Sequence, residues 1–128
     1  MKLSKAEEQL MEIIWKLERG FFKDIIDNYS EPKPAVTTVV TLLKRMQTKG
    51  AVAYDLFGNS RQYYSLIPKK DYFKKQMSGI VKDFFGNSAL QFASFFTTSG
   101  NMSAQELEEL KKIVEQEIKR KQNDNLSD

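Results

Sequence analysis

The sequence predicts a mainly α-helical chain with a small β-hairpin: a winged helix-turn-helix followed by a C-terminal helical dimerisation segment. Three observations predict it. Apolar residues recur at helical spacing before residue 50 and again after residue 72. Between them, Val52, Tyr54 and Leu56 alternate with Ala53 and Asp55, Phe57-Gly58-Asn59-Ser60 makes a turn, and Arg61 to Leu66 is rich in strand formers. Three short helices followed by a hairpin is the element order of a winged helix.

Each element has its own signals. Ser4-Lys5-Ala6-Glu7 is a capping box, and Ala6, Leu10, Ile13, Ile14 and Leu17 form the apolar stripe of a first helix that Gly20 ends. A short second helix places Phe22, Ile25 and Ile26 on one side and stops near Asn28. Pro32 and Pro34 mark a loop, and Pro34 suits the first turn of a third helix that runs to Gly50. In that helix Val39, Leu42, Leu43 and Met46 fall at i, i+3, i+4 and i+7 and make the buried side. Val52, Tyr54 and Leu56, then Arg61 to Leu66, form the hairpin that Pro68 closes, with Tyr54, Tyr63 and Tyr64 read as packing residues. Phe73, Met77, Ile80, Val81 and Phe84 line a fourth helix, which Gly86-Asn87 breaks. Ser88 caps a fifth helix holding Leu90, Phe92, Phe95 and Phe96. Ser103 and Glu106 open a sixth with Leu107, Leu110, Val114 and Ile118, supported by Glu–Lys pairs four apart such as Glu117–Lys121. The expected division is a winged domain over 1–69, a helical dimerisation domain over 70–121 and a flexible tail over 122–128.

Composition removes several function classes. The chain has no cysteine and no histidine, which excludes disulfides, thiolate zinc and imidazole acid–base chemistry. No metal site and no cofactor are expected. The hydroxyls of Thr37, Thr38 and Thr41 have neither a histidine base nor clustered carboxylates near them in sequence, so no enzyme is expected. No run of eighteen uncharged apolar residues exists, and the N-terminus lacks the apolar core of a secretion signal, so a cytoplasmic protein without membrane insertion is expected.

The net charge of +3 is unevenly spread. Residues 33–70 carry seven basic side chains against one acidic, whereas 1–32 carry five against seven and 71–128 eight against nine. A cationic segment of this kind is the footprint of a nucleic-acid surface. Within it, the third helix turns Thr37, Thr41, Lys44 and Thr48 away from its buried stripe, flanked by Thr38, Val40 and Arg45. So many β-branched residues on an exposed helix face disfavour the helix itself. Threonine does suit a base edge, offering a hydroxyl and a methyl that can meet thymine. Lys44 and Arg45 suit phosphates, and Arg61 at the hairpin tip suits a phosphate strand or the minor groove. The alternative left open is a winged-helix adaptor that binds a protein partner without DNA. Phe84, Phe85, Phe92, Phe95 and Phe96 are too many aromatics for three short helices to bury. With Phe73, Met77, Ile80, Leu107, Leu110 and Val114 they form the candidate homodimer surface.

Taken together, these motifs resemble those of the penicillinase-repressor family, the BlaI/MecI/CopY group of bacterial winged-helix repressors. Glu7-Glu8 through Met11 to Trp15 is similar to the family's first-helix pattern. Thr37-Thr38-Val39, Thr41-Leu42-Leu43-Lys44-Arg45-Met46 and Lys49-Gly50 resemble its TTV-x-TLL-x-RL-x-x-KG hallmark. Arg61 through Tyr64 resembles the second wing strand, and Phe85-Gly86-Asn87-Ser88 the F-G-G-S turn, with Asn87 for the second glycine. The resemblance implies a dimeric repressor on a palindromic operator in double-stranded DNA. Thr37, Thr38, Val40 and Thr41 would then face the major groove, and 71–121 would form the dimer interface. Two departures stand out. Copper-responsive members carry a C-terminal cysteine cluster, which this chain lacks. Penicillinase repressors are released when a membrane metalloprotease sensor pathway leads to a cut at an Asn–Phe bond. That bond corresponds to Phe95–Phe96, where Phe95 stands for asparagine.

Overall fold

The structure, a computed structural model, describes residues 1–126. Its elements run α1 (Lys5–Leu17), β1 (Arg19–Phe21), α2 (Phe22–Asp27), α3 (Val36–Thr48), β2 (Val52–Phe57), β3 (Ser60–Ser65), α4 (Lys69–Phe84), α5 (Ala89–Thr98) and α6 (Ala104–Leu126). They divide into two compact units, Met1–Gln76 and Met77–Asp128.

In the first unit the capping box of α1 forms in full. The Ser4 amide donates to Glu7 Oε1 at 2.7 Å and the Glu7 amide to Ser4 Oγ at 3.2 Å. The buried side of α1 is Glu7, Leu10, Met11, Ile13 and Ile14. Ala6 is exposed and Leu17 half-buried, so the stripe sits one position round from the one the sequence suggests. Gly20 does more than stop the helix. Glu18 reverses the chain at φ +64°, and Arg19–Phe21 becomes an edge strand paired antiparallel with β3. The sheet therefore has three strands in the order β1-β3-β2 rather than the expected two. A Cβ on Gly20 would lie 2.8 Å from Leu17 Cδ1, so glycine permits this close approach. A strand of three residues is too short for alternation to announce it. The hairpin pairs Tyr54 with Tyr63 and Leu56 with Arg61, and Gly58 takes φ +62° in its turn.

The core gathers Leu10, Met11, Ile14, Ile25, Val39, Leu43, Met46, Val52 and Tyr63. The start of α4 is fastened to it. The Trp15 indole N–H donates to Ile67 O at 2.8 Å and to Ser65 Oγ at 3.0 Å. Its ring lies 5.8 Å from that of Tyr72 and 6.1 Å from that of Phe73. The Tyr72 hydroxyl donates to Glu8 Oε2 at 2.8 Å, and burial together with that carboxylate pushes the phenol up to about 12. The winged unit thus reaches Gln76 rather than residue 69. Phe73, expected among the dimerisation residues, packs on Trp15 within it.

In the second unit, α5 is capped by Ser88, whose Oγ accepts from the Gln91 amide at 3.1 Å. The preceding turn uses positive φ at both Gly86 and Asn87, and the Asn87 amide returns to Val81 O at 3.0 Å. Asparagine tolerates that left-handed position, so it replaces a glycine there at little cost. Phe85 packs on Phe92 and Phe95 with ring centroids 5.4 and 5.5 Å apart. Even so, no residue from 77 to 125 is buried. α6 continues to Leu126, so the segment expected as a flexible tail over 122–128 is helical as far as it is described, residues 127 and 128 lying outside the described residues. Arg120 supports that extension. Its guanidinium makes a two-pronged pair with Glu117 at 3.0–3.1 Å and reaches Asp124 at 3.5 Å. Glu117 therefore pairs with Arg120 in place of the expected Lys121, because a planar fork matches a carboxylate better than an ammonium does.

Candidate nucleic-acid interface

α3 turns one face into the core and the other outwards. Val39, Leu42, Leu43 and Met46 are 6% exposed or less. Thr37, Thr38, Thr41, Lys44, Arg45 and Thr48 are exposed, and Val40 is half-buried at the flank. The stripe and the opposing face are thus the ones read from the sequence. Ala35 precedes the helix and supplies no side-chain cap, but its carbonyl accepts from the Thr38 amide at 3.0 Å and the Val39 amide at 3.2 Å. Two of the threonines bond back onto the helix. The Thr41 hydroxyl donates to Thr37 O at 2.9 Å and that of Thr48 to Lys44 O at 3.0 Å. With its proton so used, Thr41 can offer an incoming base its γ-methyl and an accepting lone pair.

The cationic segment is less free than its count of charges implies. Lys33 Nζ donates to Ile26 O at 3.3 Å and Asp27 O at 3.5 Å at the end of α2. Lys69 pairs with Glu12 at 3.1 Å. Lys49 reaches Glu7, whose side chain is 2% exposed, at 2.8 Å. Burial pushes the Glu7 carboxyl up, but Lys49 and the Ser4 amide and hydroxyl outweigh it and hold the carboxyl below its usual value. This pair ties the first turn of α1 to the end of α3. The cations left at the threonine face are Lys44 and Arg45, with Arg61 on the hairpin. The guanidinium of Arg61 lies 4.3 Å from the centroid of the Tyr54 ring, an arrangement that limits its motion.

Two shallow depressions flank α3. One is lined by Ala6, Thr37, Thr38, Thr41 and Arg45. The other, between α3 and the hairpin, includes Lys23, Val40, Asn59, Arg61 and Tyr63. Lys23 was not singled out from the sequence, since α2 lies outside the cationic segment. A protruding helix with a hydroxyl, methyl and cation face beside a β-ribbon is the geometry that enters a major groove. Among the described residues no group of three or more His, Cys, Asp or Glu side chains is placed to hold a metal, and no helix is long and apolar enough to cross a membrane.

Comparison with known proteins agrees with this geometry. The family description "Penicillinase repressor" matches residues 3–116. The chain belongs to the penicillinase repressor family. The penicillinase repressor of Bacillus licheniformis is 26% identical over 121 residues, covering 94% of each chain. The methicillin resistance regulatory protein MecI of Staphylococcus aureus is 26% identical over 114 residues, 88% of this chain and 93% of that one. The solution structure of the DNA-binding domain of the repressor BlaI superposes with a TM-score of 0.50 at 29% identity, over 56% of this chain and 88% of that one. The family consists of transcriptional repressors, not enzymes, and this member is a transcriptional repressor with a winged-helix DNA-binding unit.

Proposed function

We propose that this repressor acts as a cytoplasmic homodimer that occludes a palindromic operator in double-stranded DNA. One α3 enters the major groove of each half-site. In this reading Thr37, Thr38, Val40 and Thr41 meet base edges, Lys44 and Arg45 meet phosphates, and Arg61 on the hairpin meets the flanking strand. The observation that carries it is the exposed threonine-and-cation face of α3, backed by a fully buried opposite stripe. Dimerisation is supported by the second unit. Phe84 is 78% exposed, Leu90 80%, Phe95 60% and Ile113 57%, large apolar side chains that a second copy would cover. Met77, Ile80, Phe85, Phe92, Phe96, Leu107, Leu110 and Val114 belong to the same surface in this reading. Leu90 and Ile113 join it as well; Leu90 was read only as the apolar side of its helix, and Ile113 lies off the stripe.

Relief of repression is proposed at the Phe95–Phe96 bond, cut through a membrane metalloprotease sensor pathway. α5 buries none of its side chains within one chain, so its order rests on the dimer surface that Phe95 and Phe96 join, and the cut requires this helix to leave that surface. An intact mass measured after induction should show two fragments parting at that bond.

The operator reading is tested by titrating a duplex selected from a random pool at several salt concentrations. With roughly three to five phosphates neutralised per protomer, the log–log slope should lie near −5 to −9. A flat response, or a protein partner that competes for the threonine face in place of DNA, overturns the reading.

A further inference from the structure

The groove between α3 and the hairpin has a composition that the recognition face does not explain. Its floor is Val40 from α3 and Tyr63 from β3, with Phe22 beside them. Its rims carry two cations from distant parts of the chain, Lys23 in the first turn of α2 and Arg61 in β3. Pairing of β1 with β3 brings them to one groove, because Phe21 lies opposite Gln62 and hands the chain directly into α2. Arg61 and Tyr63 are two apart on β3 and share a sheet face. Tyr63 is buried, so Arg61 is carried on the side that faces the groove. Among the described residues neither Lys23 nor Arg61 forms an ion pair within 4.0 Å. The neighbouring Asp24 carboxylate is engaged by the Phe21 amide at 3.0 Å. Asn59 and Ser60 add neutral hydrogen-bonding groups at the hairpin end.

We propose that this groove seats one sugar–phosphate strand of the operator, with Lys23 and Arg61 as phosphate contacts on its two rims. An apolar floor suits deoxyribose faces, and unpaired cations at the rims suit the phosphates between them. The strand that divides the major groove, entered by α3, from the minor groove beside the hairpin has to cross this position. The inference rests on the operator reading. It adds a contact from α2, an element outside the recognition helix and the wing. Lys23 fixes orientation on the duplex and carries no sequence information.

The test uses the full-length dimer and a duplex selected from a random-sequence pool by the parent protein, with binding followed by fluorescence anisotropy between 50 and 200 mM salt. Lys23→Gln removes two phosphate contacts per dimer, so the log–log slope becomes shallower by about 1.8. Over that fourfold rise in salt, the affinity gap between parent and variant narrows about twelvefold. Arg61→Gln should do the same, and the ratio of selected to scrambled duplex affinities should be unchanged by Lys23→Gln. Lys16→Gln removes the same charge from the exposed last turn of α1 and should leave the slope alone. If the parent binds steeply and Lys23→Gln keeps its slope, or if Lys16→Gln shifts it equally, the groove holds no phosphate and the proposal falls while the operator reading stands. If the parent itself shows no salt-dependent binding, it is the operator reading that has failed, and this inference goes with it.

Discussion

Replacing Glu7 by glutamine isolates the buried tie between α1 and α3. Glutamine keeps the size of the side chain, and its carbonyl still accepts the Ser4 amide found at 2.7 Å. What disappears is the charge facing Lys49 at 2.8 Å. A charge-assisted hydrogen bond contributes about 1.5–3 kcal/mol. Because Lys49 is 35% exposed, water screens part of that, and about 2 kcal/mol is the figure to expect. For a domain of this size each kcal/mol moves the melting temperature by about 4–8 °C, so Glu7→Gln should melt roughly 8–16 °C lower. The pH dependence makes the test specific. The folded carboxyl titrates below its usual value of 4.5, so its contribution is complete above that value and is lost as pH falls through the lower, folded one. Urea melts of parent and variant at fixed protein concentration should therefore differ at pH 7 and converge as pH falls through the lowered value of the folded carboxyl. A gap that persists unchanged in acid, or a variant as stable as the parent at pH 7, refutes the account of this pair.

Thr41→Val should keep operator preference within about threefold, since the hydroxyl proton is engaged by Thr37 O, whereas Thr41→Ser, which loses the methyl, should cost about 1 kcal/mol of discrimination. Competition binding with thymine and uracil duplexes reads the difference, and the opposite order would mean that the hydroxyl does the reading. Tyr72→Phe should cost about 1 kcal/mol at pH 7 through loss of the bond to Glu8. Because the folded phenol titrates near 12, above the unfolded value, that contribution holds below about pH 10 and fades as pH climbs towards 12, as alkaline urea melts can show. Val114→Glu should yield monomers in sedimentation velocity with the winged unit still folded. A variant that remains dimeric removes Val114 from the interface.

Much of the fold was legible because long amphipathic segments advertise themselves. The Val39, Leu42, Leu43 and Met46 stripe, both serine–glutamate capping boxes and the Gly58-Asn59 turn all emerged where periodicity and turn chemistry placed them. What escaped depended on contacts between distant residues. β1 is three residues long and is defined by its pairing with β3, about forty residues away. The first turns of α4 belong with the winged unit because Trp15 and Glu8 reach across to them. In the candidate site, the threonine face was readable from the helical wheel, but the meaning of the cations was not. Lys33, Lys49 and Lys69 look like DNA-binding charge in a one-dimensional count. In three dimensions they close a helix end, a buried carboxylate and a surface pair. Lys23 was hidden for the converse reason, as an isolated charge that only strand pairing carries to the hairpin.

Residues 77–125 contain no buried side chain, and this bears on how repression responds to dose. In the proposed homodimer, a segment without an interior of its own would take its order from the second copy, so folding and association of this half would rise and fall together. In the dilute limit, halving the supply of protein leaves about a quarter of the paired form. Under that proposal promoter silencing would become a threshold response to synthesis and turnover, and the proposed cut in α5 would act by tipping a steeply poised supply.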